Sequence, residues 1–132
     1  VSIEHYGDFL EKLEAILSQF KMTYTFAGHI GDGSIRLIPL IDMEHKDTRE
    51  MVFELSQKVY ELVVTFGGSI SVDHNDGIIR TPYLHLMYTP EVLALFVRTK
   101  HIFDPMGIFN PGKKVGGTLQ YAKDHVISTN RT

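Results

Sequence analysis

Asp73, His74, Asn75, Asp76 and Arg80 fall within eight positions, in the stretch GGSISVDHNDGIIRTPYL at 67–84. An imidazole next to carboxylates and a guanidinium is the equipment for taking a proton from a substrate while holding its negative charge. Asp, Asn and Gly at a strand end are also ordinary turn chemistry, and the residues alone weigh the two accounts evenly. A second pair, His29 and Arg36, flanks Gly31-Asp32-Gly33 in GHIGDGSIRLIP at 28–39. With Asp32-Gly33 as a two-residue type I′ turn, His29 faces Arg36 directly across a hairpin. A cation there favours the neutral imidazole, which suits a proton acceptor or a ligand. The competing account is a core histidine satisfied by one hydrogen bond.

The elements that position these groups follow from apolar spacing. Phe9, Leu10, Leu13, Ile16, Leu17 and Phe20 form a stripe at helical period, with Glu11, Lys12 and Glu14 on the wet side. In the hairpin, Tyr24, Phe26, Ile30, Ile35 and Leu37 share a face that packs on helices. Thr25, Ala27, His29, Arg36 and Ile38 share the other, which reads as a pocket wall. A second helix, with Asp47 as the expected N-cap, carries Val52, Leu55, Val59, Leu62, Val63 and Phe66 and stops at Gly67-Gly68. Residues 69–73 then alternate as a short parallel strand, after which Asp73 and His74 share one pocket only where the backbone leaves strand geometry. Thr89-Pro90 starts a third helix, with Val92, Leu93, Leu95, Phe96, Thr99 and Phe103 as its packing face. Asp104-Pro105 ends it and opens FDPMGIFNPGKKV, a Pro/Gly-rich return segment.

The order helix, strand, strand, helix, strand predicts an α+β chain. Specifically it predicts a ferredoxin-like antiparallel sheet with helices on one face, plus a C-terminal helix and the return segment. Residues 1–132 read as a single domain, expected to be an excised piece whose first strand lies upstream of Val1, with 116–132 as a flexible tail. The composition, 43% hydrophobic and 22% charged, is that of a globular protein, and there is no apolar run for a membrane span. A net charge of -3 with dispersed Lys and Arg argues against a nucleic-acid surface. The absence of cysteine excludes thiolate metal sites and cysteine nucleophiles and fits a cytoplasmic protein.

GHIGDGSIRLIP, GGSISVDHNDGIIRTPYL and FDPMGIFNPGKKV, in that order over most of the chain, resemble the C-terminal part of flavin-linked oxidases and dehydrogenases of the vanillyl-alcohol oxidase type. These include the glycolate oxidase, D-lactate dehydrogenase and D-2-hydroxyglutarate dehydrogenase families. The resemblance implies an upstream FAD-binding domain in the same polypeptide, with this domain covering the flavin and supplying substrate and acid/base residues. It places the general base at His74, the substrate carboxylate on Arg36 or Arg80, and further substrate contacts at His29, Asp73 and Tyr83. Asn110, in the segment that returns to the flavin, and His74 would face the cofactor. The implied reaction is oxidation of a small 2-hydroxy acid.

Two departures from the family pattern bear on a divalent metal, for which the resemblance offers His29 and Asp73. Arg36 replaces the second histidine, and Asp73 stands where glutamate is usual. A guanidinium offers no lone pair. Its repulsion of a divalent ion at roughly 4 Å is about 8 kcal/mol at an effective dielectric near 20. The expectation is therefore that Arg36 does the metal's electrostatic work. The chain has no glycine-rich pyrophosphate loop after a strand, so alone it is expected neither to hold FAD tightly nor to turn over. The rival readings are a metal-dependent hydrolase using His29, Asp73, His74 and Asp76, and a non-catalytic ferredoxin-like ligand-binding or dimerisation module. In the latter an uncovered sheet face pairs as a homodimer.

Overall fold

The computed structural model describes residues 1–126, which form two compact units, Val1–Ser69 and Ile70–Val126. The first holds α1 (Tyr6–Leu17), β1 (Thr23–Ala27), β2 (Arg36–Leu40) and α2 (Lys46–Thr65). The stripe predicted for α1 is the core. Phe9, Leu13 and Leu17 are buried with Leu55 of α2, and Tyr24, Phe26, Ile35 and Leu37 pack against them from one sheet face. Helix α2 ends as its glycines require. Gly67 adopts φ 65, and Gly67 N–H and Gly68 N–H donate to Val64 O and Val63 O at 2.9 and 2.8 Å, satisfying carbonyls the helix leaves open. Its start lies two residues earlier than expected. His45 occupies the N-cap position, and Asp47 sits in the first turn, where its charge meets the positive end of the helix.

The hairpin register differs from the predicted one by two residues. Ala27, not His29, is opposite Arg36, and the ladder runs from there to Thr23 opposite Leu40. Ile30–Asp32 winds as a 3-10 turn closed by Gly33 at φ 67, and His29 O accepts from both Asp32 N and Ser34 N at 2.9 and 3.1 Å. The amides that a type I′ turn would have paired across the strands are thus satisfied inside a longer loop. An even shift preserves the side-chain faces, so the core assignment survives. Ile30, expected in that core, is instead 65% exposed.

Residues 69–73 form no strand, and among the described residues the sheet has two strands, β1 and β2. The α+β class holds, while the ferredoxin-like arrangement is not confirmed, because the expected third strand does not form. Ile70 is buried with its N–H donated to Met87 Sδ at 3.3 Å, and Asp73 and Asn75 adopt φ 58 and 62, opposite in sign to extended backbone. The second unit continues with α3 (Gly77–Arg80), a 3-10 turn over Thr81–Leu86, α4 (Pro90–Phe103) and α5 (Leu119–Asp124). Thr89 caps α4 through Val92 N–H, with Pro90 at the first helical position.

The packing face expected of α4 is not buried: no residue of the helix is, and Phe103 is 80% exposed. The part of the expected tail that is described contains α5, capped by Thr118 and anchored by a fully buried Ala122; 127–132 lie outside the described residues. Among the described residues no helix is long and apolar enough to cross a membrane.

Candidate functional site

His74 sits exposed at the tip of a turn whose two neighbours, Asp73 and Asn75, both take left-handed backbone. That conformation is disfavoured for residues with a Cβ and least so for Asn and Asp, which is the physical reason for these residue types here. It is also the departure from strand geometry that a shared pocket for Asp73 and His74 demands. Arg80 closes the turn: Nη1 donates to Val72 O and Asn75 O at 2.7 and 2.9 Å. The guanidinium that the resemblance offers to a substrate carboxylate is thus bonded to backbone carbonyls of its own turn.

Asp76, two residues after His74, is the buried member of the cluster. Its side chain has no exposed surface; Oδ1 accepts from Ser71 Oγ, and Oδ2 accepts from Lys114 Nζ at 2.6 Å. Lys114 also donates its backbone N–H to Thr81 Oγ1 at 2.7 Å, and that hydroxyl donates to Gly77 O at 2.5 Å. Lys114 is the functional candidate that sequence reasoning passed over. The signal was present in the paired lysines of NPGKK, but nothing local said which of the two would meet a carboxylate 38 residues away.

The return segment is organised by Asp104. Its carboxylate accepts from Lys100 Nζ and from Ile108 N and Phe109 N at 2.9 and 2.8 Å, while Lys100 also donates to Phe109 O. The Lys100 hydrogen bond, helped by the two amides and opposed by burial, pulls the carboxyl pKa down to about 2. Pinned this way, the end of α4 and the loop after it present Phe103, Met106, Ile108 and Phe109, each more than 60% exposed, and then Asn110 in left-handed backbone at φ 46. Apolar exposure on this scale marks a surface that another body covers.

Tyr83, which the resemblance offers as a substrate contact, is a core residue, 2% exposed. In the first unit, His29 and Arg36 lie exposed on the same hairpin, no longer cross-strand partners; the premise that Arg36 faces His29 falls with the register. As a metal donor set this hairpin does not fit, because the guanidinium stands where a second imidazole would be needed. Within neither unit, among the described residues, do three His, Asp or Glu side chains gather to hold an ion.

The family model for FAD linked oxidases, C-terminal domain, matches residues 1–114. The chain belongs to that family. It is 30% identical over 110 residues to a D-2-hydroxyglutarate dehydrogenase of Haemophilus influenzae, covering 83% of this chain and 11% of that protein. It is 28% identical over 118 residues to a glycolate oxidase subunit GlcD of Bacillus subtilis, covering 89% of this chain and 24% of that subunit. A D-lactate dehydrogenase of Archaeoglobus fulgidus is 35% identical over 88 residues, 67% of this chain and 19% of that enzyme. The chain thus spans at most 24% of the length of these relatives.

Proposed function

We propose that this FAD-linked oxidase domain is the substrate side of a two-domain flavoenzyme that oxidises a 2-hydroxy acid to the 2-oxo acid. His74 takes the hydroxyl proton as Cα loses its hydride. Asp73, in the same turn, is a further polar contact; on the hairpin, Arg36 with its two-point fork is the residue the resemblance offers to the substrate carboxylate, with His29 of the same hairpin as a polar contact. Arg80 serves chiefly to hold the His74 turn, and no metal is required. Bound FAD would supply the two-electron acceptor. Asn110 and His74 would meet it from this domain, and the exposed apolar stretch around Phe103–Phe109 fits one wall of its site. The phosphates are left to an FAD-binding domain elsewhere in the polypeptide, since no phosphate-binding glycine loop occurs in this sequence. A cysteine-free sequence accords with a cytoplasmic setting.

The observation that most supports this reading is the pair of left-handed residues around His74. Backbone strain of this kind persists where a side chain must be aimed, and here it brackets the one imidazole of the turn. The test is anaerobic mixing of the full-length protein with glycolate, lactate or 2-hydroxyglutarate. One of them should bleach the flavin's visible absorbance, and His74→Ala should slow that bleaching by about 10²–10⁴-fold. An unchanged rate in the variant removes His74 as the base. Stoichiometric zinc or manganese bound at His29 and Asp73 removes the role given to Arg36.

A further inference from the structure

We propose that the ion pair between the buried Asp76 carboxylate and the partly exposed Lys114 ammonium is a positioning device. It ties the His74 turn to the return segment, so that the base and Asn110 move as one piece. The proposal rests on the functional reading above and adds residues to it.

Neither segment is held by regular structure of its own. The turn lies in 71–76, between Ile70 and α3, and the return segment occupies 104–117 between α4 and α5. Lys114 joins them twice, by its ammonium to the Asp76 carboxylate and by its backbone N–H to Thr81 Oγ1. To do both it adopts φ 72, a conformation lysine rarely takes. Its ammonium lies 5.0 Å from the centre of the Phe96 ring and 5.8 Å from that of Tyr88, which fixes the charge from the α4 side as well.

Packing alone does not call for this chemistry. An ion pair with its carboxylate end buried is often no more stable than an apolar pair filling the same space, whereas its charge-assisted hydrogen bond restricts the relative orientation of its two ends. Ser71 completes the arrangement by donating to the other carboxylate oxygen, so the carboxylate is gripped on both sides. The residue so gripped is the second after His74 and starts the helix that carries Arg80. The lysine that grips it is the fourth after Asn110.

The experiment compares the full-length flavoprotein with Lys114→Met, Lys114→Arg and Asp76→Asn. Hydrogen exchange in the peptides spanning 70–81 and 108–116 is followed beside the rate of flavin reduction. Lys114→Met should raise exchange in both peptides together. It should also lower kcat by about 100-fold at unchanged flavin content, with KM within about twofold, as expected when a catalytic group is misplaced by about 1 Å. Lys114→Arg should recover most of both effects. Faster exchange confined to 108–116, or full kcat per bound flavin in Lys114→Met, overturns the proposal and leaves a pair that only packs. Should Lys114→Met fail to fold, Asp76→Asn, which keeps an acceptor for Ser71 or Lys114, decides by the same two readouts. Failure of the unaltered protein to reduce flavin with any 2-hydroxy acid would sink the functional reading. The paired exchange would still decide whether Asp76 and Lys114 tie the segments.

Discussion

Replacing Arg80 separates a residue that shapes the base's turn from one that grips substrate. Arg80→Met keeps the aliphatic stem and loses the two hydrogen bonds from Nη1 to Val72 O and Asn75 O. A buried bond from a charged donor is worth about 1.5–3 kcal/mol, but this guanidinium is half-buried and water can take over its carbonyls, so about 1 kcal/mol each is appropriate. The total, about 2 kcal/mol, is comparable to what two left-handed residues store between them, at about 1 kcal/mol or more apiece. Without the clamp the turn therefore becomes a mixture in which the His74 geometry is a minority. Flavin reduction at saturating 2-hydroxy acid should fall about 10- to 30-fold, the population factor that about 2 kcal/mol implies, with KM little changed. Hydrogen exchange in 70–81 should accelerate in parallel. Arg80→Lys, which can reach one carbonyl at a time, should lie between the two. A rise in KM of a hundredfold with unaltered exchange would refute this account and return Arg80 to the substrate carboxylate.

Three further outcomes test individual contacts. Gly28 has φ 142, and a Cβ there would stand 2.6 Å from Ser34 O, so Gly28→Ala should destabilise the hairpin unit by about 2 kcal/mol or more and displace His29; thermal unfolding and the hairpin's exchange measure both. Tyr6 Oη is buried with no hydrogen-bond partner among the described residues, and burial raises the phenol pKa; Tyr6→Phe should stabilise by about 1 kcal/mol in a denaturant titration. Asp104 is depressed to about 2, so its ionised form favours the folded state above the unfolded carboxyl pKa of about 3.9. That contribution should fade as pH falls from about 4 through about 2, and the stability gap between the wild type and Asp104→Asn should close over this window in acid unfolding curves.

Much of the fold was legible because burial leaves a periodic trace. Phe9, Leu13 and Leu17 at helical spacing, and Tyr24 with Phe26 at strand spacing, announce faces whatever the partner, and those faces are the core. The Gly67-Gly68 stop and the Thr89-Pro90 start are equally local, since a few adjacent residues satisfy the helix's open carbonyls and amides. What failed were inferences that needed to know where a backbone amide would find its partner. Residues 69–73 alternate as a strand does, yet Ile70 N–H goes to the sulfur of Met87, 17 residues on. The α4 stripe is periodic, but periodicity does not say whether the covering body lies within this chain.

The site divides along the same line. The sequence by itself determined which chemistry is present, because imidazole, carboxylate and guanidinium are properties of residue types and the three motifs keep their order along the chain. It also carried the hint that Asp and Asn beside His74 tolerate left-handed backbone. Tertiary structure alone decided that Ala27 rather than His29 meets Arg36, that Arg80 turns back on its own turn, and that Asp76 is neutralised by Lys114. Hydrogen-bond register and the pairing of a buried charge are settled by whichever distant group completes the desolvated partner, and spacing along a chain holds no record of that distance.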